Sequence, residues 1–162
     1  TLDVMQGVAA SGAGDRLSLY TGNDDHIVLD LLLPFRTPAG DLRFSGGLLG
    51  HWSVWTQKAV ELLARCKAAR GATSIPVELL RLDSAVTDSN AAFFDVANDF
   101  HGVIAGCHEV LRRQGLLEGR WCLDPHEDLG PGQAEAIERV YRLYSELNDD
   151  AFVSANRERW LA

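Results

Sequence analysis

The sequence predicts an α/β protein that is mostly helical, built from two strand–helix units followed by an all-helical segment. Polar and apolar residues alternate over Arg16 to Tyr20 (RLSLY), which is typical of a strand with one buried face. Leu42 to Ser45 (LRFS) is a second short strand by the same criteria, and a helical pattern follows each of them. Beyond Gly71 the apolar residues recur only at helical spacing. We therefore predict an α/β part at 1–71 and a helical part at 72–162.

The elements of the first part follow from local composition. Leu2 to Ala10 predicts a short helix that is closed by the glycines of SGAG at 11–14, ahead of the first strand. His26 to Phe35 is apolar nearly all round, which favours a buried helix that Pro34 ends. A turn is predicted at 37–40 (TPAG), before the second strand. The clearest helix runs from Ser53 to Arg70, with Ser53 as its N-cap and Gly71 as its stop.

The second part contains five predicted helices and no strand. Pro131 marks the first turn of the best-signalled one, and apolar residues follow it at the helical period up to Leu147. The five predicted ranges are 75–82, 90–100, 101–114, 131–147 and 150–161.

The net charge of the chain makes some classes of binding partner improbable. The 162 residues carry a net charge of -8, so a nucleic acid or an anionic membrane is not expected as the main partner. No apolar run reaches membrane-spanning length. The three cysteines have no CxxC spacing, which suits a reducing compartment, and we expect a cytoplasmic protein. Because the chain starts at Thr1, we also expect it to be part of something longer.

Two strands alone make a poor parallel sheet, because parallel sheets are buried on both faces and need further strands. Two βα units followed by helices therefore look like the end of a larger barrel. The residues at 21–25 (TGNDD) resemble the "SGDD" strand end of the dihydrodipicolinate synthase and N-acetylneuraminate lyase family, whose members are (βα)8 barrels. The strand at 42–47 (LRFSGG) resembles the last barrel strand of that family, and 107–140 resembles its C-terminal helical extension.

The resemblance implies a function that the chain would perform only in part. It implies an aldolase-type lyase or synthase in which a lysine forms a Schiff base with a pyruvate-like keto acid, without a cofactor. The lysine belongs to an earlier strand, so the chain would lack the N-terminal barrel half and the nucleophile. Lys58 and Lys67, the only lysines, lie mid-helix and are not assigned that role. A homo-oligomer is also implied.

The strand ends supply the candidate site, because active sites of such barrels lie at the C-terminal ends of the strands. The predicted substrate-binding residues are Thr21, Gly22, Asn23, Asp24, Ser45, Gly46 and Gly47.

Several of these assignments have structural alternatives. His51 is the candidate proton carrier, since it is the available group that titrates near neutral pH. Asp24 and Asp25 are equally typical of a helix N-terminus with no ligand, and we assign Asp25 to capping. His51 beside Trp52 could instead be a packed aromatic pair.

No metal site is predicted. The acidic loop at 124–128 (DPHED) lacks the spacing of a calcium loop, and His101 and His108 lack a third ligand. Two functions from different classes remain. One is the C-terminal portion of the lyase, and the other is a non-catalytic module that binds a small anionic ligand or a partner chain.

Overall fold

The computed structural model describes residues 1–162 and is mostly helical, with four short strands, which confirms the predicted α/β class at that level. The strands are β1 (Tyr20–Thr21), β2 (Phe35–Thr37), β3 (Gly40–Leu42) and β4 (Gly46–Gly47). The α-helices are α1 (Leu2–Ala10), α2 (Ile27–Leu32), α3 (Thr56–Ala69), α4 (Val77–Phe93), α5 (Val103–Arg113), α6 (Gln133–Leu143) and α7 (Asp150–Leu161). Short 3-10 turns lie at 14–16, 50–53, 96–98 and 145–147.

Strands β1 and β4 form a parallel pair, as the two βα units require. Tyr20 lies opposite Gly46 and Thr21 opposite Gly47. The pairing extends by one residue at each end, since Ser45 N–H donates to the Leu19 carbonyl at 2.7 Å and Leu48 N–H to the Thr21 carbonyl at 2.8 Å. Each strand has only one neighbour, so both outer edges of this sheet are open.

Both strands begin later than predicted. Residues 14–16 form a 3-10 turn in place of the start of the first strand. Residues 40–42 belong to a hairpin that the sequence analysis missed, in which β2 pairs antiparallel with β3. The predicted turn at 37–40 is the tip of that hairpin, where the Thr37 hydroxyl donates to the Gly40 carbonyl at 2.6 Å.

The hairpin exists because α2 ends earlier than expected. The predicted helix to Phe35 is wrong, since α2 stops at Leu32 and Leu33 is extended with ψ of 146°. Pro34 forces this change, because its ring disfavours the helical conformation in the preceding residue. Phe35 is thereby released into β2, where its ring packs against Phe44 with centroids 5.4 Å apart.

The start of α3 also differs. Ser53 is not the N-cap, because it lies in the 3-10 turn at 50–53, and Trp55 precedes the helix in a left-handed conformation with φ of 54°. At the N-terminus of α3, a residue that is remote in sequence accepts a hydrogen bond instead: the Gln57 N–H donates to the Asp149 carboxylate at 3.1 Å.

The helical part has four α-helices where five were predicted, because one long helix replaces the first two predictions. The single helix α4 spans the predicted helix at 75–82 and the start of the one at 90–100. The remainder of that second prediction is wrong, because the chain turns sharply at 94–100. Asp95, Asp99 and Phe100 adopt left-handed conformations there. Helices α5, α6 and α7 lie within the other three predicted ranges.

One continuous core joins the residues before and after Gly71. It contains 21 buried apolar residues, including Met5, Trp55 and Leu62 from the first part and Phe93 and Val140 from the second. The ring of Trp55 lies edge-on to that of Phe93, with centroids 4.8 Å apart. None of the helices has the length and apolar character needed to cross a membrane.

Candidate functional site

The parallel pairing of β1 and β4 brings the two predicted strand ends together. Thr21 and Gly47 are direct neighbours across the pair, so the loop at 22–26 and the loop at 48–53 leave the sheet side by side. Gly22 and Asp24 are exposed, Asn23, Ser45 and Gly47 are half-buried, and Thr21 and Gly46 are buried.

The polar side chains nearest β1 bond to their own loop. The Thr21 hydroxyl donates to Asp30 of α2 at 2.6 Å and accepts from the Asn23 N–H at 3.1 Å. The Asn23 side-chain oxygen accepts from the N–H groups of Asp25 and His26, at 3.2 and 3.3 Å. Asn23 therefore closes a turn that precedes α2. The capping role predicted for Asp25 is wrong, because the N-cap position of α2 is His26 and no side chain makes a capping bond there. Thr21 and Asn23 shape the loop, and their oxygen atoms are engaged.

Helix α4 holds this loop from the outside. Asp83, buried in α4, accepts from the Leu29 N–H at 3.2 Å, and its other oxygen lies 2.9 Å from Nδ1 of His26. The bond to Asp83 and the nearby carboxylate charges raise the pKa of His26 above its ordinary value. One turn along α4, the Thr87 hydroxyl donates to the Asp25 carbonyl.

Asn90, one further turn along α4, contacts both strand-end loops. Its amide nitrogen donates to the Asp24 carboxylate at 3.2 Å. Its amide oxygen accepts from the His51 N–H at 3.3 Å and lies 3.2 Å from His51 Nδ1. Sequence reasoning missed Asp83, Thr87 and Asn90. Their spacing of four and three residues, as polar side chains on one face of an otherwise apolar helix, was the available signal.

His51 is packed inside the protein. Only 1% of it is exposed, and its ring lies 5.7 Å from that of Phe93 and 6.1 Å from that of Trp52, centroid to centroid. Burial lowers the pKa of His51 to about 4, against a weaker opposing effect of the Asn90 bond. The ring is therefore neutral at pH 7 and is enclosed by aromatic neighbours, so the packed-pair alternative describes its surroundings.

The glycines of β4 are held in close contact rather than facing open space. A Cβ on Gly46 would lie 2.7 Å from the Tyr20 ring, and one on Gly47 would lie 2.8 Å from Cδ1 of Ile27. Gly22 differs, because a Cβ there would meet only the Leu48 carbonyl oxygen at 3.8 Å. Of the three, Gly22 has the open surroundings that a bound molecule would need.

An apolar cleft of about 380 Å³ lies beside β4, between the strand end and α3. No pattern in the sequence predicts this cleft. The exposed side chains of Leu48 and Val60 contribute to its wall. Its lining residues are Leu31, Gly47, Leu48, Leu49, Gly50, Trp52, Ser53, Thr56, Ala59, Val60 and Leu63.

The N-terminus of α3 does not offer a free anion site. Asp149 is buried there and accepts from the Gln57 N–H and from Gln114 Nε2, the latter at 2.9 Å. Burial raises the pKa of Asp149. The positive end of the helix thus already faces a carboxylate of the chain itself.

Neither lysine is placed for Schiff-base chemistry at the strand ends. Both lie within α3, and Lys58 Nζ pairs with Glu61 at 2.8 Å. The loop at 124–128 is largely exposed, and its Asp128 pairs with Arg120. No group of three or more His, Cys, Asp or Glu side chains is arranged to hold a metal ion.

The geometry at the strand ends therefore consists of a parallel pair, two adjacent loops, and a helix that fixes both. No protein-family model, curated protein or solved structure matches the chain.

Proposed function

We propose that this chain is the C-terminal portion of a (βα)8 aldolase-type lyase that resembles the dihydrodipicolinate synthase family. The observation that carries the proposal is the parallel pairing of β1 with β4, each followed by a helix. Parallel strands must be linked by a crossover, and sheets of this kind are stable when further strands bury both faces. A two-stranded parallel sheet with two open edges is what an incomplete barrel would present.

The position of the polar loops supports the same proposal. The loops at 22–26 and 48–53 leave the two strands at the same end, which is where barrel enzymes bind their substrates. In the proposed enzyme, Gly22 permits close approach of the substrate to the backbone. The exposed Asp24 accepts hydrogen bonds from substrate hydroxyl or amino groups. The chain contributes a wall of the pocket and no nucleophile.

The proposed chemistry places the reactive lysine on a strand outside this chain. Its amine condenses with the keto group of a pyruvate-like acid and releases water, and the protonated imine then withdraws electrons from the adjacent carbon. Carbon–carbon bond formation or cleavage follows through the enamine. We also propose a reducing, cytoplasmic setting, because Cys66, Cys107 and Cys122 are all unbridged.

Borohydride trapping tests this proposal. A polypeptide that carries the remaining barrel strands together with these 162 residues is incubated with pyruvate, reduced, digested and analysed by mass spectrometry. We expect one reduced pyruvate adduct, on a lysine outside this chain. The 162-residue chain alone is the control and should give none, because its two lysines lie mid-helix on α3. An adduct on Lys58 or Lys67, or none in a folded longer polypeptide, would contradict the proposal.

A non-catalytic binding module is the second candidate, and the apolar cleft beside β4 favours it. Such a cleft suits a partner chain better than a small anion, because the anion-attracting end of α3 already faces Asp149. A folded longer polypeptide that forms no imine but holds its additional strands against β4 would favour this second function.

A further inference from the structure

A single buried side chain joins the two strand-end loops. Asn90 is 2% exposed, and its amide group lies between Asp24 of the first loop and His51 of the second. The other polar contacts between α4 and these loops, made by Asp83 and Thr87, reach only the first loop. Asn90 is thus the one residue of α4 whose hydrogen bonds connect both loops.

The chemistry of the partners fixes the orientation of this amide. A backbone N–H can only donate, so the atom facing the His51 N–H is the Asn90 oxygen. A carboxylate can only accept, so the atom facing Asp24 is the Asn90 nitrogen. Because the same oxygen faces His51 Nδ1 at 3.2 Å, Nδ1 carries the ring proton and Nε2 carries none.

We propose that Asn90 is a positioning residue that sets the separation of the loops at 22–26 and 48–53, and so the geometry of the candidate site at the strand ends. What that site binds rests on the function proposed above. The coupling between the loops does not, and it can be measured without any activity.

The rest of α4 provides the rigidity that such a role needs. On another side of the helix, Asp88 accepts from Arg139 and from the Tyr144 hydroxyl, each at 2.7 Å. These bonds fix α4 against α6, while Asp83 and Thr87 fix it against the first loop. Because α4 is held in place, a displacement of one loop should be transmitted to the other loop through Asn90 and should not be absorbed by movement of the helix.

The proposal predicts that a substitution in the first loop changes the second loop. Asp24→Ala removes the acceptor of the Asn90 amide at an exposed position, so folding is preserved. We expect the His51 backbone amide to exchange with solvent deuterium about five- to tenfold faster, as loss of one hydrogen-bond anchor allows. Asp24→Asn keeps an acceptor oxygen and should retain the original rate.

Asp25→Ala is the matched control. It removes the same charge from the neighbouring exposed residue, whose carboxylate makes no hydrogen bond to α4. The His51 amide should exchange at the original rate in this variant. Equal acceleration in Asp24→Ala and Asp25→Ala would show an effect of charge alone, and no acceleration in Asp24→Ala would show that Asn90 does not couple the loops. Either result would overturn the proposal.

A charge exchange gives a second, spectroscopic test. Asn90→Asp places a carboxylate against Asp24 and beside the His51 ring, so the first loop should loosen and the pKa of His51 should rise in a titration followed by nitrogen NMR. Adding Asp24→Asn lets the new amide donate to the new carboxylate and should restore the slow exchange of both loops. If the single variant does not fold, recovery of folding in the double variant supports the proposal. Failure of the double variant to recover would refute it.

Discussion

At the residue level, the buried imidazole of His51 is the side chain whose surroundings have the largest chemical effect. A ring that carries a proton in water near neutral pH is held neutral here, because the interior disfavours its charged form. The side chain that hydrogen-bonds to the ring, Asn90, raises the pKa of His51, but by less than burial lowers it. His51 therefore links folding to pH, whether or not it takes part in any reaction.

The free energy of unfolding should depend on pH through His51. Below its ordinary pKa of 6.5 the unfolded chain binds a proton on this ring, whereas the folded chain does so only below a pKa of about 4. The stability of the folded state is therefore unaffected by the titration of His51 above pH 6.5, and it decreases as the pH falls from 6.5 toward 4. The slope reaches about 1.4 kcal/mol per pH unit within that window. Urea unfolding at several pH values should show that His51→Gln lacks this part of the slope.

His126→Gln provides the control for this measurement. His126 is also a histidine but lies exposed in the loop at 124–128. Its replacement should leave the pH dependence between 4 and 6.5 unchanged. A slope that is the same in the original protein and in His51→Gln would show that the folded ring takes up its proton as readily as the unfolded one.

At the level of elements, the contact between α4 and α5 depends on a missing side chain. Gly106, in the middle of α5, is buried, and a Cβ there would overlap the Phe93 carbonyl oxygen at the end of α4. The same region is tied together by the buried Gln133, which donates to the Phe93 and Gly102 carbonyls at 3.2 and 3.0 Å. Backbone cannot move aside here without disturbing these bonds.

Two glycine-to-alanine substitutions should therefore have opposite effects on stability. Gly106→Ala should destabilise the protein by about 1–3 kcal/mol, because the new methyl group would overlap backbone atoms, which cannot rotate away as a flexible side chain can. Gly7→Ala lies in α1, where a Cβ meets nothing within 4 Å, and should stabilise it by up to about 1 kcal/mol. Chemical denaturation measures both. Equal effects of the two substitutions would mean that α5 does not approach α4 this closely.

The elements that were predicted well are those whose ends are marked by neighbouring residues in the sequence. The ranges of α1 and α7 agree with the prediction, and so does the turn that became the hairpin tip. The errors arise where remote contacts decide. Helix α4 looked like two helices because Asp83, Ser89 and Asn90 interrupt its apolar pattern, although all three are buried and hydrogen-bonded. The start of α3 depends on Asp149, far along the chain, and no local signal reports that contact.

For the whole molecule, a distinct feature is the exposed apolar surface beside β4, a strand that has only one hydrogen-bonded neighbour. Leu48 is 69% and Val60 is 59% exposed, and both border the cleft next to β4. Open strand edges and exposed apolar patches favour association with further chains or strands. We therefore expect the isolated chain to self-associate through this face.

Sedimentation velocity over a range of concentrations tests that expectation. The original chain should show a concentration-dependent shift to larger species, and Leu48→Lys combined with Val60→Lys should suppress it. Leu123→Lys is the control, because Leu123 is a fully exposed apolar residue that lies outside the cleft lining. Loss of association in Leu123→Lys alone would place the contact at the loop after α5 instead.

The neighbourhood of the candidate site could be predicted only in outline. Parallel strands with helical connections place their ends together, so the meeting of Thr21 with Gly47 followed from the order of elements. Which polar groups remain free for a ligand did not follow. Asp24 and His51 both bond to Asn90, and that contact depends on where α4 lies in three dimensions.

The position of the Asp149 carboxylate at the start of α3 affects how C-terminal truncations of this chain are interpreted. Removing residues 149–162 would take away the hydrogen-bond acceptor of the Gln57 N–H, in the first turn of α3, while leaving every strand-end residue in the chain. A shortened form would then differ from the original at the start of α3 as well as in the residues removed. Mapping of binding determinants should accordingly use single substitutions that leave residues 149–162 in place.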